Sequence, residues 1–312
     1  MESDLSKLII VAVDGSESSL KSLDYLNLIY DPVHNLEVVL LYVLPTLPQI
    51  LVADKNRETK LRLLNIEKKN IEVASRILAE ARSILIDRGF KEERIKGVHR
   101  KKQVGVALDI CSFAEDKLAD AVIISSRGRS RLETFFSGEV ASKLVEHCWT
   151  CPVWVVEGAV NSKKVLIAMD SSENALRAVD HAGFMLSETD SQVTLFHSKR
   201  HLRRFLPQEV IEAAPEIEEL WKHRAGEQIS PYMKKAKDTL IQAGLAEEQI
   251  NIKVVDGSRS AAADILKEAR SNNFGTIVLG RKGHSGVKEF FMGSIASKVL
   301  QDHQGMAVWI VH

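Results

Sequence analysis

The sequence predicts an α/β protein built as two tandem domains, each a parallel sheet covered on both faces by helices. Three observations carry that prediction. The chain repeats itself, each half alternates strand-like and helix-like segments, and the strand-like segments are continuous apolar runs, as expected for strands buried on both faces. Sliding the sequence along itself aligns the run Phe135 to Lys143 with the run Phe290 to Lys298, Gly138 falling on Gly293. Gly89 and Gly244, Asp109 and Asp264, Gly128 and Gly283, and Trp154 and Trp309 keep the same offset, and Asp14 pairs with Asp170 at one residue more. A period this long marks a duplicated domain rather than a solenoid. The seam falls around Gly158 to Ser162, giving halves at residues 1–158 and 162–312. So short a linker favours halves packed against each other.

The elements follow in order and are clearest in the second half. Val165 to Met169 is an apolar strand, and Ser171 or Ser172 caps the next helix, on which Ala175, Ala178, Val179 and Ala182 recur at helical spacing. Gln192 to Phe196 is the second strand. A long helical stretch ends at Gly244, a residue suited to the left-handed position after a helix. Pro231 inside that stretch is expected to start or kink a helix. Ile250 to Val255 is a strand, Ala261 to Arg270 a helix, Thr276 to Leu279 a strand, Ile295 to Asp302 a helix, and Ala307 to Val311 the last strand. The first half matches element by element. Residues 45–60 and 199–215 are the least periodic and read as loops, where lids are often placed.

Composition narrows the function. The chain has 312 residues, with Lys+Arg and Asp+Glu balanced at 42 each, 45% hydrophobic and 27% charged residues. This excludes a disordered, collagen-like or coiled-coil chain and argues against nucleic-acid binding through bulk positive charge. No signal peptide is visible after Met1, and the longest apolar runs, Leu8 to Val13 and Val38 to Leu44, fall far short of the ~20 residues that span a bilayer. Three cysteines, Cys111, Cys148 and Cys151, suggest a reducing, cytoplasmic setting. Cys148 and Cys151 form a C-x-x-C, but between a helix and a strand rather than at the strand-to-helix turn of a redox motif, and no second pair completes a zinc site.

In a sheet of this kind, ligands bind beyond the carboxyl ends of the strands. In the second half that region collects Asp170 after the first strand, His197 and Ser198 at the end of the second, and the loop from Gly280 to Ser294 after the fourth. The loop reads G-x2-G-x9-G-S through Gly280, Gly283, Gly293 and Ser294. Its glycines let the backbone approach a ligand, and Gly293 and Ser294 open a helix whose free N–H groups favour an anion, a polyphosphate nest. Arg281, Lys282 and His284 are loop groups that could reach phosphate, although exposed loop charges are usually just solvated and a lone histidine is more often a surface or packing residue. Asp14 and Asp170 also suit a simpler role, capping the helices that follow them. There is no Walker A motif, no G-x-G-x-x-G after the first strand and no G-x-S-x-G elbow, which argues against a P-loop ATPase, a dinucleotide oxidoreductase and an α/β-hydrolase. No constellation points to a dedicated catalyst or a resident metal.

On Asp170, the Gly257 turn, the glycine loop and the closing strand, the second half resembles the universal stress protein family end to end. The resemblance implies a five-stranded doubly wound sheet of strand order 3-2-1-4-5 that binds ATP, with or without Mg2+. It implies that Asp170 contacts the ribose, that the backbone at His197 and Ser198 meets the adenine, that Leu279 lines the base pocket, and that Gly280, Gly283, Gly293, Ser294 and the amide of Ile295 hold the phosphates. It further implies that the last strands, with Trp154 and Trp309, pair the halves into an internal pseudo-dimer, and it allows a homodimer.

The first half resembles the family with departures. Asp14, Gly128 and Gly138 keep a degenerate site, but Ser125 stands where Gly280 stands, Lys102 replaces Gly257 and Glu139 replaces Ser294. A carboxylate ~4 Å from a phosphate charge costs about 4 kcal/mol at an effective dielectric near 20, roughly three decades of affinity. Arg127, Arg129 and Arg131 could offset part of that by pairing with Glu139 or phosphate. The expectation is one ATP per chain, in the second half, in a cytoplasmic stress-response switch with a protein partner, rather than a scaffold with a vestigial site or a slow ATP hydrolase.

Overall fold

The computed structural model describes residues 6–30, 34–53, 56–126, 138–258, 260–283 and 292–312. The chain divides into two compact units, Met1–Gly158 and Ala159–His312.

The first unit runs β1 (Lys7–Ala12), α1 (Glu17–Ile29), β2 (Leu36–Leu44), α2 (Gln49–Val52), α3 (Arg57–Asp87), β3 (Ile95–Lys101), α4 (Val106–Lys117), β4 (Ala121–Ser125), α5 (Gly138–His147) and β5 (Val153–Val156). Its strands are ordered β3-β2-β1-β4-β5, and the pairs β1–β2, β1–β4, β2–β3 and β4–β5 are parallel. The second unit runs β6 (Lys164–Ala168), α6 (Glu173–Leu186), β7 (Gln192–Lys199), α7 (Gln208–Ala213), α8 (Pro215–Gln242), β8 (Ile250–Asp256), α9 (Ala261–Ser271), β9 (Thr276–Gly280), α10 (Ser294–Gln301) and β10 (Ala307–Val311). Its order, β8-β7-β6-β9-β10, repeats the first, again in parallel pairs. The strand order reverses between β6 and β9, so the crevice for a ligand opens at their carboxyl ends.

The central strands are apolar because helices cover both faces: Ile9, Ile10 and Val11 of β1, and Leu166 and Ile167 of β6, are fully buried. The chain ends its long helices on Gly89 (φ +91°) and Gly244 (φ +104°), backbone positions where a side chain would be strained. Trp154 meets Tyr25 edge-on at 6.4 Å, and Trp309 meets His181 edge-on at 5.9 Å, so each tryptophan packs in the core of its own unit.

Two expectations change. Residues 45–60 and 199–215 are not plain loops: the first contains α2 and the start of α3, the second a single 3-10 turn at Leu202–Arg204, then α7 and the start of α8. Periodicity missed them because apolar residues such as Ile50 (83% exposed) and Phe205 (52%) face outward. Their helix starts rest on local chemistry instead: Asn56 accepts the N–H of Glu58, and Pro207 and Pro215 open α7 and α8. Pro231 does not start a helix; α8 runs through it, with the proline on an exposed face. Among the described residues, no helix is long and apolar enough to cross a membrane.

Candidate functional site

The glycines of the second unit explain how its strand tips close on one another. A Cβ on Gly280 would fall 2.7 Å from the backbone of Asn174, at the start of α6. A Cβ on Gly283 would fall 2.6 Å from Asp170 Oδ2, and one on Gly257 2.2 Å from the carbonyl oxygen of Lys199. Backbone stands in the way at Gly280 and Gly257, so these two positions exclude a side chain, whereas one at Gly283 would have to displace the Asp170 carboxylate. The Gly257 N–H donates to that Lys199 carbonyl at 2.9 Å, and the Gly293 N–H donates to the Arg281 carbonyl at 2.9 Å, folding the glycine loop back on itself.

Asp170 stands just past β6. Its Oδ1 accepts the Ser172 N–H at 3.0 Å and the Ser172 hydroxyl, while the Ser172 hydroxyl caps α6 by accepting the Ala175 N–H. One carboxylate oxygen is therefore spent on local structure, and Oδ2 faces Gly283. His197 is half-buried and its Nδ1 lies 2.7 Å from the Met169 carbonyl. A carbonyl only accepts, so Nδ1 carries the proton and Nε2 is left as an acceptor. Burial lowers the His197 pKa, against the opposing pull of the Met169 carbonyl and Asp170, so the ring is neutral at pH 7. The Ser198 hydroxyl donates to Asp264 Oδ2 at 2.6 Å, and the Ser258 N–H donates to the same oxygen at 2.9 Å. Burial works to raise the Asp264 pKa, but the hydrogen bonds from Ser198 and Ser258 outweigh it and the net shift is downward. Sequence reasoning used Asp264 only as a repeat landmark. Its counterpart Asp109 accepts the backbone N–H groups of Gln103 and Val104, so that pairing was the signal that both aspartates hold the loop before a helix.

Around these groups lies a cavity of ≈ 1030 Å³. Its lining includes Asp170, His197, Ser198, Leu279, Gly280, Arg281, Gly283, Gly293, Ser294 and Ile295 together, though these come from four separate stretches of chain. α10 begins at Ser294 with Gly293 at its N-cap and no side chain capping it, so its first N–H groups open toward the cavity. Among the described lining residues Asp170 is the single carboxylate, whereas Lys199, Arg200, Arg203, Arg224, Lys282 and Lys298 all contribute, so this lining favours an anion.

Arg281 differs from an exposed loop cation. It is 2% exposed, its N–H donates to the Val311 carbonyl, and Nη1 lies 3.3 Å from His312 Nδ1. Arg281 is among the residues that line the cavity, and its carbonyl holds Gly293. His284 and the rest of 284–291 lie outside the described residues, as do Arg127, Gly128, Arg129 and Arg131.

Among the described residues, the first unit repeats the capping geometry but lacks glycines at the places of Gly280 and Gly257. Asp14 Oδ1 accepts the Ser16 N–H at 3.0 Å and hydroxyl at 2.6 Å, and Ser16 caps α1. Ser125, at the place of Gly280, is buried and carries a Cβ. Lys102 donates its N–H to Leu44, as Gly257 does to Lys199, but brings a long side chain to the turn. Gly138 opens α5, and Glu139, at the place of Ser294, pairs with Lys143 at 2.5 Å. That hydrogen bond and the lysine's charge hold the Glu139 carboxyl below its usual pKa, so an anion sits in the first turn of α5. All three cysteines are buried free thiols; burial pushes Cys151 up to about 12, and its Sγ donates to the Ala119 carbonyl at 3.1 Å. No group of three metal-ligating side chains occurs among the described residues.

Comparison with known proteins adds a family. The model of the universal stress protein family matches residues 6–157 and again 161–312. The universal stress protein YxiE of Bacillus subtilis is 27% identical over 141 residues, which cover 44% of this chain and 91% of that protein. A universal stress protein of Methanocaldococcus jannaschii is 29% identical over 157 residues, covering 49% and 84%. The crystal structure of a universal stress protein from Archaeoglobus fulgidus aligns over 98% of both chains with a TM-score of 0.68 at 18% identity, a likeness of fold.

Proposed function

Because this chain belongs to the universal stress protein family across both halves, we propose that its second unit binds ATP and that the nucleotide switches the surface the protein offers to a partner in the stress response. The observation that carries this reading is the convergence of the predicted ligand residues on one cation-rich cavity. The cradle suits a polyphosphate: Gly283 and Gly293 let the loop pack close against Asp170 and the Arg281 carbonyl, and the start of α10 supplies N–H donors. Asp170 Oδ2 and the His197 Nε2 acceptor suit a ribose hydroxyl and an exocyclic amine. Magnesium, if it accompanies the nucleotide, is held by phosphate and water, as that ion prefers. The first unit carries Glu139 at the phosphate position and does not bind ATP tightly.

The reading extends to regulation. A ligand shifts a conformational equilibrium only by its differential affinity for the two states. The wall formed by residues 199–229 lines the same cavity as the cradle, so nucleotide bears directly on it. The cellular setting we propose is the cytoplasm.

Calorimetry on the whole chain tests this. One ATP per chain is expected, and ATP at 100 times its Kd adds about 2.7 kcal/mol of stability. Two tight sites per chain, or none, would overturn the reading. Sustained ADP release over many turnovers would replace a switch with an enzyme.

A further inference from the structure

The cavity is larger than its nucleotide cradle. Its ≈ 1030 Å³ sits at the top of the roughly 300–1,000 Å³ that small-molecule sites span. Beyond the cradle, residues of α8 and of the 3-10 turn also line it. Trp221, Arg224, Ala225, Gln228 and Ile229 line it at the spacing of one helix face. Only Ile229 of these is buried; the core-packing residues of α8, Met233, Ala236 and Leu240, come later along the helix. The first half of α8 thus turns a face with an indole and a guanidinium to the cavity instead of the core.

Two aromatic rings stand on this wall. Phe205 and Trp221 are 5.1 Å apart and inclined at 54°, and the Trp221 Nε1–H donates to the Arg200 carbonyl at 2.7 Å, which fixes the indole. Phe205 remains 52% exposed. Arg203 and Arg224 line the same cavity, as does Lys282 of the glycine loop, and Arg224 also pairs with Glu227 at 3.2 Å. Aromatic rings held open among arginines are the chemistry that stacks a nucleic base beside phosphate. An acyl chain would call for an apolar wall without the arginines.

We propose that the second unit takes a dinucleoside polyphosphate, two nucleosides joined 5′ to 5′ through several phosphates. The inference rests on the ATP reading for one adenosine and its phosphates. The second base packs on Trp221 and Phe205, and the added phosphates run past Arg203 and Arg224.

The test compares ATP, adenosine 5′-tetraphosphate and diadenosine tetraphosphate on the full chain by calorimetry. The tetraphosphate controls for added charge alone. Diadenosine tetraphosphate is expected to bind about tenfold tighter than either mononucleotide, the scale of one stacked base. Trp221→Ala should bring that ratio close to one. Arg203→Ala, on an exposed turn, gives a second variant that should lower the ratio if Trp221→Ala melts early. Equal affinities for the three ligands, or a preference that survives both substitutions, would overturn this proposal while leaving the ATP site standing. Failure of all three to bind would overturn both readings.

Discussion

Glu139 and Ser294 occupy the same place in two copies of one domain, the first turn of the helix that follows the fourth strand. In the first unit the helix start is already neutralised by its own carboxylate, which Lys143 keeps ionised. In the second unit a hydroxyl and a glycine N-cap leave the N–H groups open, beside a cavity whose charged groups, among the described residues, are cations apart from Asp170. Both units have the same strand order and both aspartates make the same turn with a capping serine. Duplication preserved the scaffold, and a few substitutions at strand tips separate a helix N-terminus that serves its own stability from one that can serve a ligand.

The largest effect should come from moving that carboxylate. Ser294→Glu recreates the first unit's arrangement in the second. At ~4 Å and an effective dielectric near 20 the added charge costs about 4 kcal/mol, so ATP affinity should fall about a thousandfold in a titration, with the fold intact by circular dichroism. The converse, Glu139→Ser, should not create a site, because Ser125 and Lys102 still occupy the positions of Gly280 and Gly257. ATP binding by the first unit after that single change would show that charge alone separates the two copies.

Acid gives the next largest difference. His181, His303 and His312 are all in the second unit, and burial lowers each pKa, that of His303 to about 4. The first unit has Tyr25 at the place of His181 and Cys148 at the place of His303. The Cys148 pKa is raised by its hydrogen bond with Cys111 and by burial, so it stays neutral in acid. An unfolded histidine protonates near 6.5, whereas folded His303 resists until about 4. The unfolded state therefore binds more protons between those values, and stability held above pH 6.5 is lost as pH falls through that window. At about 1.4 kcal/mol per pKa unit, His303 alone accounts for roughly 3 kcal/mol. Hydrogen exchange at pH 7 and pH 4.5 should show second-unit amides losing protection first, and His303→Cys should delay that loss. Equal loss in both units would break the comparison.

How much of this was legible depends on what each feature rests on. The strands and the glycine loop were readable because a buried parallel strand is a continuous apolar run and a phosphate loop needs glycines at set places; duplication was readable from the repeat, and strand order came only through the family resemblance. The wall of Trp221, Arg224 and Gln228 was not: the helix that carries it was readable, but only tertiary structure turns that face to a cavity. The burial of Arg281 was equally hidden, since its neighbour His312 comes from the end of β10, beyond the whole of α10. Asp264 lay between these cases: the repeat marked it, but only tertiary structure brought Ser198 to it.

The smallest effect separates structure from binding at the aspartates themselves. Ser16 and Ser172 each cap a helix and each bond the preceding aspartate. Ser16→Ala and Ser172→Ala should each cost about 1 kcal/mol of stability, the usual worth of an N-cap, read by denaturant unfolding. Because the two turns are alike, the two losses should agree within a few tenths of a kcal/mol. Asp170→Asn keeps an oxygen for Ser172 but removes the charge beside Gly283, so its effect should fall on ATP affinity more than on stability. Asp14→Asn should leave ATP binding by the chain unaltered. If Asp170→Asn instead lowered stability and left ATP affinity intact, the two aspartates would be alike in every respect, and what distinguishes the second unit would lie wholly in its glycine loop and the start of α10.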